Sequence, residues 1–177
     1  MTFRFGLFRF LTIGNTIVLS FFGLILFMAM FVNPMAAMFS LLLIVAAFLH
    51  NWNCLSLQRH FLTPGTPAKP GLPMAINLTS IGAFIWGISI VTGIINTLRT
   101  PATEMQKTLK QMIPKDATAE EKQLFLSSAH ASINIALILV GIHAIAIIVN
   151  CIISIQYSRQ LRATLPEEEE TPDGDNQ

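Results

Sequence analysis

The sequence predicts an all-α integral membrane protein: a four-helix bundle with a short helical hairpin extension on the non-cytoplasmic side. Three observations carry that prediction. Residues 11–32, 35–57, 72–98 and 129–157 form apolar runs without a single charged side chain. Charged residues make up only 12% of the 177-residue chain, against about 25% in soluble domains. The mean hydropathy is +0.60. A hydrocarbon core about 30 Å thick needs about 20 apolar residues in a helix. Backbone polar groups in lipid must bond within their own segment, so the runs read as helices rather than strands.

The same composition excludes other classes. Eleven basic against ten acidic residues give a net charge of +1, which provides no global field for phosphate, so no nucleic-acid partner is expected. Two cysteines cannot build a disulfide framework. Residues 1–161 read as one four-span domain, and 162–177 as an acidic disordered tail without apolar anchors.

The first run follows Phe3-Arg-Phe-Gly-Leu-Phe-Arg-Phe10, an aromatic and basic stretch suited to lipid headgroups. It is longer than the roughly 7–15 residues of a signal-peptide core, which argues for a retained helix. Asn33-Pro34 then turns the chain straight into the second run. The connector Thr63–Pro73 contains Pro64, Pro67, Pro70 and Pro73 and breaks any helix. Its three-residue proline period also suits a polyproline ligand, the alternative to a plain linker.

Residues 99–128 form the outer loop. Met105, Leu109 and Met112 recur at helical spacing before Pro114 stops the pattern. Asp116 or Thr118 is placed to cap a new helix with Glu120 and Glu121 in its first turn. No breaker follows, so that helix is expected to run unbroken from about 117 to 161. Basic residues set the orientation. Arg4, Arg9, Arg59, Lys69, Arg159 and Arg162 fall on one side, while the opposite flanks carry chiefly Arg99. Both termini are therefore expected in the cytoplasm, with the plasma (inner) membrane as the location in a bacterium.

An internal repeat is visible. Asn53-Cys54, Ser56, Gln58 and Arg59 recur as Asn150-Cys151, Ser154, Gln156 and Arg159, with one residue inserted. His50 and His143 precede the two matches, and Asn15 with Ser20 parallels Asn77 with Ser80. Two duplicated helical hairpins, or chance among apolar sequence, account for this.

Polar side chains at bilayer depth rarely face lipid. His143, Asn150 and Tyr157 are spaced by seven and share a face with Ala136 and Ser154. Thr12, Thr16, Ser20 and Gly23 form a small-residue stripe, as do Ser80, Ala83 and Gly87, with Ser89 and Gly93 adding a further pair. Such stripes let helices approach closely. Asn51, Asn53 and Asn150 mark an intramembrane polar cluster. Its first reading is interhelical hydrogen bonding. A second is haem b held between His50 and His143, which at 1.5 Å per residue would differ in depth by about 5–8 Å. A third is a small-molecule carrier, which normally uses intramembrane acids or bases that the runs lack. Cys54 and Cys151 pack as small apolar groups in the first reading. No catalytic constellation or metal-ligand spacing is present in the motifs. The expectation is a non-enzyme without cofactor: an accessory, assembly or interaction subunit whose partners are the bilayer and other membrane subunits or itself.

Overall fold

The computed structural model describes residues 3–31, 33–63, 65, 69, 71–114 and 116–165. Pro64, Pro67 and Pro70 of the connector and the acids of the tail beyond 165 lie outside the described residues. The chain forms α1 (Phe3–Ala29), α2 (Pro34–Leu62), α3 (Leu72–Arg99), α4 (Ala102–Gln111) and α5 (Ala119–Thr164), and no strand occurs among the described residues. Four of these helices are long and apolar enough to cross a membrane.

Local chemistry sets each boundary. α1 starts at Phe3 rather than at residue 11. The aromatic stretch is an amphipathic turn of helix: Phe5 and Phe8 are buried, while Arg4 and Arg9 stay exposed. Met30 and Phe31 close the end of α1 by bonding the carbonyls of Leu26 and Met28. Proline at the first position of α2 lacks the N–H that would be orphaned there anyway. α2 continues past residue 57 to Leu62 because Leu57 and Gln58 still face the bundle. Proline stands likewise in the first turn of α3.

The loop helix runs over 102–111 and packs on α5 through buried Leu109. Of the two candidate caps for α5, Thr118 serves. Its hydroxyl accepts from the Glu121 N–H, and the Glu121 carboxylate accepts from the Thr118 N–H at 2.7 Å. These bonds hold the fully exposed Glu121 carboxyl below its ordinary range. The 46 residues of α5 span about 69 Å at 1.5 Å per residue, so its first turns and α4 project as a hairpin beyond the other helices. α5 also carries Arg162, Ala163 and Thr164, three residues beyond the expected helix end at 161. Leu161, buried among Phe5, Phe8 and Leu57, holds that last turn in place.

α1 packs against α2 and α5, and α3 packs against the same two helices, so α1 and α3 are diagonal. The start of α1, the ends of α2 and α5 and the start of α3 meet at one end, here called inner. There Phe5, Phe8, Phe61 and Tyr157 form a ring cluster, with Phe8 stacked on Tyr157 at 5.4 Å. The next layer outward is Leu19, Ile44, Ala47, Ala83, Ile147 and Cys151. Glycines on α3 set the helix spacing. A Cβ on Gly82 would stand 2.6 Å from the Ala46 Cβ, and one on Gly87 would stand 3.0 Å from Ile148.

Burial then stops. No described residue is buried in α1 beyond Leu19, in α2 before Ile44, in α3 beyond Gly87 or in α5 before His143. The bundle is a closed four-helix packing in its inner half and an open one in its outer half. Two stripes read from the sequence fall short here. Ser20 and Ser89 are exposed, and a Cβ on Gly93 would meet nothing within 4 Å. The repeat also places its matched residues in unlike settings. Asn53 is half-buried where Asn150 is buried, and Gln58 is buried where Gln156 is exposed.

Candidate functional site

The polar side chains of the inner half divide into two networks, back to back across α2. Asn51 and Gln58 are seven apart on α2 and face α1 and α5 together. The Asn150 amide donates to Asn51 Oδ1 at 2.9 Å, and the Asn51 amide donates to the Ala47 carbonyl. Thr12 on α1 directs its hydroxyl proton between the Phe8 carbonyl at 2.8 Å and Asn150 Oδ1 at 3.1 Å. Gln58 Nε2 donates to the Thr12 oxygen at 2.8 Å. All four side chains are almost fully buried. The chain of bonds Gln58–Thr12–Asn150–Asn51 ties α1, α2 and α5 together over two turns of α2.

The second network centres on His50, the next residue of α2, which turns toward α3 and α5. Its Nδ1 lies 3.3 Å from Ser80 Oγ and 3.5 Å from Thr79 Oγ1. Its Nε2 lies 3.3 Å from Ser154 Oγ and 3.4 Å from Cys54 Sγ. Both serines have a helix carbonyl to donate to, Ile76 and Cys151 respectively. Neutral imidazole has one N–H. A ring donating from Nδ1 to Ser80 therefore needs Ser154 or the Cys54 thiol to donate to Nε2. Asn53 donates to Thr79 Oγ1 at 3.4 Å and, among the described residues, does not join Asn51 and Asn150. Ser158 adds a further strut, donating to the Pro73 carbonyl at 3.1 Å.

The two histidines are not brought together. His50 is level with Ser154, and His143 lies eleven residues earlier on α5. That is about 16 Å along the helix axis, twice the largest depth difference anticipated from the sequence. His143 packs its ring on Phe22 of α1 at 5.7 Å, whereas His50 faces α3. Both nitrogens of His50 are already within reach of hydroxyls and a thiol. In this arrangement the pair does not fit the two axial positions of one iron.

Sequence reasoning missed three features of the site. Gln58 registered only as part of the repeat, although its seven-residue offset from Asn51 carried the signal. Ser154 and Ser80 were read as stripe residues, and nothing in one chain states that both meet His50. The third feature is a set of buried nitrogens without partners: Asn15 Nδ2, His143 Nε2 and Trp86 Nε1. Trp86 carried no sequence signal beyond its rarity.

Cys54 and Cys151 are free and buried. Cys54 touches His50, and Cys151 Sγ lies 3.8 Å from the Ser80 carbonyl oxygen. Both thiols thus line the back of the His50 network. Chemically the arrangement is a set of interhelical clamps: each amide, hydroxyl or imidazole joins two or three helices. Comparison with protein-family models, with curated proteins and with solved structures returns no match.

Proposed function

We propose that this chain is a four-span integral membrane protein without enzymatic activity that works by helix-helix contact, as an accessory, assembly or interaction subunit of a membrane complex. One observation carries the reading: the same four helices are locked by polar bonds and close packing in one half and left open in the other. The open half presents Phe21, Leu24, Phe39, Leu42, Ile138 and Leu139 with about half or more of their surface accessible. In a membrane such a surface meets either lipid or a partner helix. Inward residues such as Leu26, Leu43, Ile94 and Val140 are only half-buried, so the four helices cover one another less fully in the outer half. A partner helix, from another subunit or a second copy, would complete it.

Both termini are assigned to the cytoplasm. Arg4, Arg9, Arg59, Arg159 and Arg162 are all exposed at or near the inner end, as the positive-inside rule requires of a cytoplasmic face. The origin of the two hairpins by duplication rests on the sequence match alone. No cofactor belongs to this proposal. Haem between His50 and His143 would need α5 to slide by about three turns, and an absorption spectrum of the reduced protein checks that alternative directly. A carrier role would make uptake depend on Asn53 or Asn150.

The test is extraction from its native membrane in mild detergent, with the mass and composition of the species measured. A defined complex that weakens when Ile138→Ala and Leu139→Ala are combined supports the proposal. A lone 19.5 kDa monomer, unchanged by those substitutions, overturns it.

A further inference from the structure

The inner polar network fixes the relative depth of three arginines. Thr12 and Asn51 each share a side-chain bond with Asn150, at 3.1 and 2.9 Å, so the three stand level on α1, α2 and α5. Arg4 lies eight residues before Thr12, Arg59 eight after Asn51 and Arg159 nine after Asn150, all toward the inner end. At 1.5 Å per residue each lies about 12–14 Å from the network. Three helices thus present an exposed arginine at one depth. Exposed Arg9 and Arg162 flank that level within two turns.

The opposite side of the bundle gives the scale. A Cβ on Gly141 of α5 would stand 3.5 Å from the Ile94 side chain of α3. Arg99 is five residues outward of Ile94 and so level with residue 136 of α5. From that level to Arg159 is about 34 Å along the helix axis. Hydrocarbon about 30 Å thick fits between the two levels. On the four-span reading, on which this inference rests, Arg4, Arg59 and Arg159 therefore stand among the headgroups. The rings of Phe5, Phe61 and Tyr157 cluster at the same end, as aromatic side chains do at a membrane interface.

The two ends differ in charge. Residues 99–128 carry five basic and four acidic side chains, and four of those five bases are lysine. The inner end carries Arg4, Arg9, Arg59, Lys69, Arg159 and Arg162, and no acid among the described residues. A guanidinium fork matches two phosphate oxygens at once, whereas an ammonium acts as a point charge. A zwitterionic headgroup brings its own cation and leaves the charge of the belt uncompensated. An anionic phospholipid supplies both the phosphate and a net negative charge.

We propose that Arg4, Arg59 and Arg159, with Arg9 and Arg162 to either side, form a belt that binds the headgroup phosphates of anionic phospholipids in the leaflet at the inner end. The competing occupant is the chain's own run of six acids beyond residue 165. The depth of the belt favours lipid, because side chains exposed at headgroup level meet phosphates already there, which a tail would have to displace.

The experiment takes the full-length protein from mixed micelles holding equal amounts of phosphatidylglycerol and phosphatidylcholine and counts the bound lipids by native mass spectrometry. The expected result is retention of phosphatidylglycerol over phosphatidylcholine, falling as salt is raised. Arg59→Gln should lower that preference by up to about fivefold, the fold-change equivalent to about 1 kcal/mol per basic residue near a membrane surface. The triple variant Arg4→Gln, Arg59→Gln, Arg159→Gln should abolish it. Arg99→Gln, on the opposite side, should leave it unchanged. Equal retention of the two lipids, or a preference that Arg99→Gln lowers as much as Arg59→Gln, overturns the belt. So does a preference that appears only after Glu167, Glu168, Glu169 and Glu170 are changed to Gln, since the chain's own acids would then hold the arginines. Insertion into phosphatidylcholine nanodiscs separates the two claims. A chain that inserts but shows no lipid preference loses the belt alone, and one that does not insert overturns the four-span reading with it.

Discussion

The inner and outer halves of this bundle are built from the same helices with the same apolar composition, yet they are held in different ways. In the inner half, amides, hydroxyls and His50 bond across α1, α2, α3 and α5, and glycines let α3 close on its neighbours. In the outer half three hydroxyls bond within their own helix. Ser20, Ser89 and Thr97 each return a proton to the carbonyl four residues earlier. Burial follows the interhelical bonds and not the hydrophobicity. On the proposed four-span reading this behaviour follows, because apolar surface gains little by leaving lipid and association depends on close packing and polar pairs.

Paired substitutions in the two halves sharpen that comparison. The largest effect is expected at the glycines of α3. Gly82→Ala would set its Cβ against Ala46, a rigid neighbour, and should destabilise the bundle by about 1–3 kcal/mol. Gly93→Ala meets nothing and should be neutral or stabilising by up to about 1 kcal/mol through helix propensity. Thermal unfolding of the two variants in one detergent reads the contrast, and equal destabilisation would break it.

Next comes Asn150→Leu. It removes the bonds to Asn51 and Thr12 and strands the Asn51 oxygen, at a cost of about 1–3 kcal/mol. Adding Asn51→Leu should cost less than the sum of the single changes, because the stranded group goes too. Strict additivity in that double-mutant cycle would contradict a shared network. The histidines give a similar contrast at smaller scale. His50→Phe should cost about 0.5–1.5 kcal/mol, since Ser80 and Ser154 keep their helix carbonyls as partners. His143→Phe should cost nothing.

The smallest effects belong to the surface. Leu139→Ala on the open half should change the stability of the isolated chain little, within about 0.5 kcal/mol by thermal unfolding, while loosening any complex. At the cap of α5 the sign of the pH dependence is set by Glu121. Its carboxyl titrates lower when folded than its ordinary value of 4.5. The bonds to Thr118 therefore support the helix start fully above that pH and are lost as the pH falls through the lowered value. Amide exchange over residues 119–123 should quicken in acid, and Glu121→Gln should remove most of that pH dependence.

The helices themselves were legible because a run of about 20 uncharged residues admits no other structure in lipid. Their ends were less so. Whether Phe3–Phe10 and residues 158–164 continue a helix depends on Phe5, Phe8 and Leu161 finding one another, which is a matter of packing and not of local pattern. The capping of α5 was legible to within two candidates because Thr118 and Glu121 carry the spacing of a capping box. The polar residues were legible as a set but not as a wiring. Grouping His50 with His143 by residue type set together two rings about 16 Å apart in depth, while the true partners of His50, Ser80 and Ser154, are common residues without any signature. Which pairs meet depends on rotation of each helix about its axis, and a chain read alone leaves those four rotations free.

The measurement that bears most directly on the central claim is site-specific photo-crosslinking in the native membrane, from exposed positions in each half. Leu42 and Ile138 represent the open half, and Trp52 represents the closed one. The account predicts crosslinks to a protein partner from Leu42 and Ile138, and crosslinks to lipid alone from Trp52. Crosslinks to lipid alone from all three positions would contradict it, and would mean that the open half is a finished surface.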